Sequence, residues 1–308
     1  MLETPTRSLR SLFRWGTPDQ YKHPNHRLVS LMLEKFGLSS AELEKPISAG
    51  LESFKAEIPC KLTDSQLKSL QSLVGSDQVS VDSYDRVRAA YGKTMLDLFR
   101  LRQEIFENVP DAVVYPASRK EIVDLLRFAS EHGVHIQTRG AGSSVTRGCE
   151  APAGGITLDL SRHLNRIIKI NPVNETVQVE AGMLLPDLES QLQSAMREQN
   201  LDYNYTLGHF PQSYEFATVG GAIVTRGAGQ NSTYYGKIEQ MVISQDYVTL
   251  QGDLVTREVP AESMGPDFDG LMMGSEGTLG ILVSATLRIR RHLPQNTRRF
   301  SYMFKDFA

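Results

Sequence analysis

Three glycine-rich segments constrain this chain more than any other feature. They are Arg139-Gly140-Ala141-Gly142-Ser143-Ser144, Thr218-Val219-Gly220-Gly221-Ala222 and Gly274-Ser275-Glu276-Gly277-Thr278-Leu279-Gly280. Glycine loses more backbone entropy on folding than any other residue, so three such clusters are costly unless backbone must run close to something. In the first, Gly140 and Gly142 permit positive φ angles. Successive N–H groups, with the hydroxyls of Ser143 and Ser144, can then form a nest for an anion. The first is expected to follow a strand, and the second and third to stand at strand entries. All three lie in one part of the chain, since residues 1–110 hold 5 of the 24 glycines and residues 111–308 hold 19. The natural guest is one extended ligand such as a dinucleotide. For the first loop taken alone, a tight turn with no ligand is an equal alternative.

Neither common phosphate-binding fingerprint fits. A Rossmann loop follows the first strand and opens a long helix. Here the glycines follow the second strand, Val145 stands where the third glycine belongs, and Pro152, Gly154 and Gly155 come too soon for such a helix. Asp159 has nearly the spacing of a ribose-binding acid, but without that helix the spacing is coincidental. No Gly-Lys-Ser/Thr follows, so a P-loop is excluded.

Periodicity gives the elements. Thr63 to Gln66 and Ser118 to Glu121 have capping-box spacing. Leu67, Leu70 and Val74, then Ile122, Leu125, Leu126 and Ala129, form helical stripes that Gly75 and Gly133 end. Residues 27–36, 84–104 and 186–199 also read as helices, the last with Leu188, Leu192 and Met196 inward. Strands are expected at 112–115, 134–138, 156–160, 166–170, 176–181, 241–250 and 280–289, and 202–217 is a polar stretch. Helices and strands do not alternate strictly, so the fold class is α+β.

Composition narrows the partners. The formal net charge of −3 gives no reason to expect nucleic acid. The two cysteines cannot make a disulfide scaffold, and a reducing compartment follows as the default. No apolar run of membrane-spanning length and no secretory signal is read. Arg7, Arg10 and Arg14 beside Leu9, Leu12 and Phe13 read as a short surface helix, with a transit peptide or membrane-surface helix as alternatives. No metal site is expected, because His23 and His26 have no cysteine pair nearby.

The glycine segments resemble the vanillyl-alcohol oxidase and p-cresol methylhydroxylase flavoproteins over about residues 106–292. Within them the chain is similar to the alkyldihydroxyacetonephosphate synthase-like FAD-linked oxidases. This rests on the run from Asp85 to Arg102, on Gly208 to Ala217, on Thr225-Arg226, on Tyr235 to Glu239, on Met264 to Asp267 and on Arg14-Trp15-Gly16. The resemblance implies a two-subdomain FAD-binding domain of the p-cresol methylhydroxylase type at 106–292. A helical N-terminal segment at 1–105 precedes it, and the start of a truncated cap domain at 293–308 follows, with 301–308 as its first strand. It implies non-covalent FAD held by Arg139, Gly140, Ala141, Gly142, Ser143, Ser144 and Val145; by Pro211, Gln212, Ser213, Ala217, Thr218, Gly220 and Gly221; by Thr225, Arg226, Ala228 and Gly229; and by Glu276, Gly277, Thr278, Leu279, Gly280, Ile281 and Leu282.

The resemblance further implies an oxidoreductase-type flavoprotein near ether-lipid precursor synthesis. A 2-hydroxy-acid (lactate- or glycolate-type) or alcohol dehydrogenase is one alternative, and a catalytically incomplete FAD-binding module or fragment is another. It implies a small-molecule or lipid-like substrate and a cytoplasmic location, peroxisomal if the chain is eukaryotic. Peripheral membrane contact and a homodimer stay open. His209 and Arg226 are the candidates for catalysis. Against them stand a structural histidine and an ordinary salt bridge. Tyr234 and Tyr235 either pack on the flavin or fill core, Glu276 shapes the third loop, and Cys149 is read as packing rather than as a flavin tether.

Overall fold

The computed structural model describes residues 11–13, 15, 24–44 and 56–306. The first elements are helices α1 (His26–Phe36), α2 (Ser40–Leu43) and α3 (Asp64–Val74), strand β1 (Val79–Ser80), and helices α4 (Ser83–Ala90) and α5 (Met95–Arg102). Next come β2 (Ala112–Val114), α6 (Arg119–His132), β3 (Ile136–Arg139), β4 (Ile156–Asp159), β5 (Ile167–Asn171) and β6 (Thr176–Glu180). Helices α7 (Leu185–Gln193) and α8 (Ala195–Gln199), β7 (Tyr205–Thr206), α9 (Val219–Val224), α10 (Ser232–Tyr235) and α11 (Ile238–Met241) follow. The chain then forms β8 (Val242–Thr249), β9 (Gly252–Val255), α12 (Phe268–Met272), β10 (Ile281–Arg288) and β11 (Arg290–Arg291). No helix among the described residues is long and apolar enough to cross a membrane.

Two sheets carry the fold, and the α+β expectation holds. The first has the order β1-β2-β4-β3, with β4 parallel to both β2 and β3. Helix α6 makes the crossover between β2 and β3 and buries Ile122, Leu125, Phe128 and Ala129. The second is antiparallel, in the order β5-β6-β10-β8-β9. Its central strand β10 is buried along Ile281–Leu287, covered on both faces, which explains its nearly unbroken apolar run.

Helix signals were read well where capping chemistry is local. Thr63 and Gln66 close a full capping box on α3, and Gly133 ends α6 in the left-handed conformation. The box at Ser118 is half formed: Ser118 accepts from Glu121 N–H, but the Glu121 carboxylate turns to Ala117 N–H at 2.7 Å.

Tertiary contacts overrule other readings. The helix expected over 84–104 breaks at Tyr91-Gly92-Lys93, because Lys93 N–H donates to Ser144 O at 2.7 Å and a side chain at Gly92 would meet that same oxygen. The helix expected over 186–199 breaks at Ser194, which leaves Met196 exposed instead of inward. Of the expected N-terminal surface helix, residues 1–10 and 14 lie outside the described residues. Ser11, Leu12 and Phe13 are buried and not helical, and the two apolar side chains pack with Val87, Ala90, Tyr91 and Leu101. Residues 301–306 form no strand, and His23 lies outside the described residues.

Three polar latches join the N-terminal elements to the sheets. The Arg86 guanidinium donates to the carbonyls of Pro110 at 2.7 Å, Ile58 at 2.9 Å and Pro59 at 2.9 Å. The Asp111 carboxylate accepts from Lys61 N–H at 2.7 Å and Gly155 N–H at 2.6 Å. Glu150 accepts from Arg100 at 2.6 Å, Arg147 at 2.7 and 2.8 Å, and Asn108 at 2.6 Å, while Arg100 also reaches Asp97 at 2.8 Å.

Burial alone would raise the Glu150 pKa, but its hydrogen bonds from Arg147, Arg100 and Asn108 win and hold it at about 2. A depressed carboxylate stabilises the fold above its unfolded pKa and loses that contribution as pH falls through the folded one. Urea unfolding should therefore show stability draining away between pH 4.5 and about 2. Glu150→Gln should lower the midpoint at neutral pH and flatten this acid slope; an unchanged slope would rule the latch out.

Candidate functional site

The three glycine segments meet around one cavity of about 350 Å³. Each is delivered by a different element. The first leaves the end of β3, the second opens α9, and the third leads into β10. The second segment is thus a helix start and not a strand entry. Thr218 is its N-cap, accepting from Gly221 N–H at 3.1 Å, while Val219 and Gly220 N–H bond back to Met183 and Ala181 carbonyls at 2.8 Å. Gly-Gly there serves close packing, since a side chain at Gly220 would press on Ala181.

The loops touch one another through their glycines. A Cβ on Gly140 would lie 2.2 Å from Thr218 Oγ1, and one on Gly277 would lie 2.3 Å from Thr138 Oγ1. Only Gly142 of the first loop has a positive φ, at 75°. Gly140 does not, so it is there for contact with Thr218 and not for backbone freedom. Ala141 also avoids positive φ, and the extra methyl is accommodated. Among the described residues, the N–H groups of 140–143 donate no hydrogen bond within the chain, which leaves a run of donors at the cavity wall.

Arg139 holds this loop from beneath. Its guanidinium donates to Asp159 at 3.0 Å, Gly140 O at 3.1 Å and Ala141 O at 3.3 Å. Asp159 therefore serves as an anchor for that arginine. Arg88 also reaches it, at 3.5 Å.

Most of the expected site residues line the cavity. They are all of 139–145, His209, Pro211, Ser213, Ala217, Thr218, Gly220, Gly221, Thr225, Glu276, Gly277, Gly280, Ile281 and Leu282. Six do not. Gln212 and Ala228 are exposed, and Gly229 passes under Phe210, where a Cβ would be 2.2 Å from Phe210 O. Thr278 turns its hydroxyl to Ser275 O at 2.7 Å, and Leu279 faces outward. Arg226 sits at φ 51° and donates to Met273 O at 3.1 Å and Gly270 O at 2.6 Å. It braces the approach to the third loop, 3.8 Å from Glu239, in place of facing the cavity.

Tyr235 packs on Gly208 and Tyr234 is exposed, so neither reaches the cavity. Cys149 does line it, as do Thr138, Ala181 and Gly148, which sequence reasoning missed. Thr138 was legible only as an alternating strand residue, and the other two carry no local signal.

His209 stands apart. It is 2% exposed and lines the cavity, and among the described residues neither ring nitrogen has a partner. Burial pushes its pKa down to about 4, so the ring is neutral at pH 7, with one nitrogen a donor and the other an acceptor. Two unmet polar atoms in a buried ring are a cost that a ligand in the cavity would remove.

Residues 110–257 match the family model described as "FAD binding domain". The chain is 31% identical to alkyldihydroxyacetonephosphate synthase of Trypanosoma brucei brucei over 83% of this chain and 41% of that protein. It is 32% identical to glycolate oxidase subunit GlcD of Bacillus subtilis over 60% of this chain and 38% of that protein. A solved alkyldihydroxyacetonephosphate synthase superposes with a TM-score of 0.77 at 25% identity, covering 93% of this chain and 54% of that one. A p-cresol methylhydroxylase structure gives 0.57 at 21% identity, covering 78% of this chain and 46% of that one, which bears on the fold alone. The chain thus spans about two fifths of the length of the curated synthases it matches.

The contact between Gly140 and Thr218 yields a stability test. Gly140→Ala should cost about 1–3 kcal/mol from overpacking. Thr218→Ala alone should cost about 1 kcal/mol through the lost cap. The double variant should be more stable than the sum of the two, measured by urea unfolding, because the second change removes the atom that the first collides with. Strict additivity would mean the two segments do not touch.

Proposed function

Because the chain belongs to the alkyldihydroxyacetonephosphate synthase-like FAD-linked oxidases, we propose that its glycine-lined cavity holds FAD non-covalently as the FAD domain of an oxidoreductase-type flavoprotein. The observation that carries this reading is the convergence of three separate glycine segments on one cavity. The residues present fit the group. The N–H donors of 140–143, with Ser143 and Ser144, suit its diphosphate. Apolar wall from Ala217, Val224, Ile281 and Leu282 suits its rings and excludes water. The unmet nitrogens of His209 can donate and accept one hydrogen bond each toward it.

When bound, FAD supplies the redox chemistry. The chain's own residues bind and orient it. Cys149 is buried, and burial raises its thiol pKa, which keeps the sulfur protonated and unreactive. That supports non-covalent attachment. Arg226 and Glu276 act by shaping the second and third segments, Glu276 through its N–H to Val224 O at 3.1 Å.

The reaction proposed is synthase-like, exchanging an acyl for an alkyl group on a lipid-like substrate. It is supported by matches of 31–33% identity over 75–83% of the chain. A 2-hydroxy-acid dehydrogenase is the second reading, favoured by matches to a glycolate oxidase subunit and a D-lactate dehydrogenase over 60% and 62% of the chain. Under either, 106–292 is the cofactor domain, between the N-terminal segment 1–105 and the start of a cap domain at 293–308.

The purified chain should show a flavin absorption spectrum, and acid should release the flavin. A colourless protein that fails to bind added FAD would sink the reading. Bleaching of the bound flavin by a hydroxy acid would favour the dehydrogenase, and acyl-for-alkyl exchange without bleaching would favour the synthase. His209→Phe should weaken FAD binding about tenfold, on the order of one net hydrogen bond. Since the ring titrates at about 4, that loss should be the same across neutral pH. Fluorescence titration with FAD reads both.

A further inference from the structure

The first glycine loop has two faces. Arg139, Ala141 and Gly142 line the large cavity and also a second one of about 60 Å³ behind the loop. Lys93 lies on this smaller cavity and is 6% exposed. Its Nζ donates to Ser11 O at 2.5 Å and Leu12 O at 2.9 Å, and stands 5.0 Å from the centroid of the Phe216 ring. Its N–H donates to Ser144 O at the end of that loop, while its side chain shares the small cavity with Ala141 and Gly142.

Among the described residues, the charged side chains that line this small cavity with Lys93 are Arg88 of α4 and Arg139 at the end of β3. Asp159 of β4 is shared between those two arginines, and Asp97 of α5 is engaged by Arg100. We propose that Lys93 couples FAD binding to the uptake of a proton: an anionic diphosphate held on one face of loop 139–142 stabilises the ammonium on the other. This rests on the FAD reading above. Lys93 would be a positioning residue for the cofactor, acting through the loop and through the strap at 11–12.

In the ligand-free chain, burial and then the Arg139 charge push the Lys93 ammonium down to about 7. A nearby dianion raises it. Below about pH 7 the ammonium is already charged, and binding takes up no proton. Above that, binding must supply the proton, so affinity falls with rising pH, at most about tenfold per unit for one proton, until the raised value is passed. Four neighbouring groups with shifted values lie outside this window. His209 has titrated at about 4, and burial raises the Cys149 thiol and the Tyr91 and Tyr115 phenols.

The test is calorimetric titration of the flavin-free full chain with FAD near pH 8, in two buffers of different ionisation enthalpy. Affinities at about pH 6 and about pH 9 complete it. The expected result is uptake of a substantial fraction of a proton near pH 8 and an affinity about tenfold weaker at pH 9 than at pH 6. Lys93→Arg keeps its charge and should bind FAD with no proton uptake and a flat pH profile. Lys93→Met should bind weakly at both pH values. Tight binding with no proton uptake, or a Lys93→Arg variant with the wild-type slope, overturns the inference while leaving the FAD reading intact. Absence of FAD binding at every pH overturns both.

Discussion

Everything at the site depends on backbone meeting side chain with no room to spare. Gly140 sits on the Thr218 hydroxyl, Gly277 on the Thr138 hydroxyl, and a Cβ on Gly148 would come within 2.6 Å of the Glu276 carboxylate. These contacts tie strand β3, helix α9 and the entry to β10 together at their ends. Secondary structure is the consequence as much as the cause. Strand β3 stops where Gly140 must dock, and β10 starts once the third segment has cleared it. A cavity built this way is rigid by geometry, because none of its three walls can shift without colliding with another.

The polar latches place what packing alone would leave loose. Glu150 stands six residues beyond the first glycine loop and gathers Arg100, Arg147 and Asn108. Burying such charges has a desolvation cost that offsets much of their attraction, so their worth lies in fixing one arrangement. Through Arg100 of α5 and the Lys93–Ser144 bond in the turn before that helix, the N-terminal part grips both ends of the segment 144–150. The N-terminal helices are therefore part of the loop's support.

How much was legible follows from the range of each interaction. Caps at Thr63 and Gly133 are decided within four residues, and the glycine clusters announce a close approach wherever they sit. Both are readable from sequence. The break at Gly92, the helix at 219–224 and the outward turn of Arg226 are decided by groups 39 to 52 residues away, in Ser144, Ala181 and Met273. Those partners leave no local trace. Lys93 is the sharpest instance. It falls inside the helix expected over 84–104, where nothing in the sequence marks it for burial, and only the fold turns it inward, behind the loop it supports.

The Arg86 latch bears on how the protein can vary. Its three acceptors are carbonyls of Ile58, Pro59 and Pro110, so what it recognises is the path of the chain. Backbone oxygens are the same whatever side chains they carry. The connecting segment before α3 is thereby free to exchange side chains while keeping its course, and the demand for a particular residue falls on the arginine alone. This latch is written at position 86, in a form that sequence drift along the segment it holds leaves untouched.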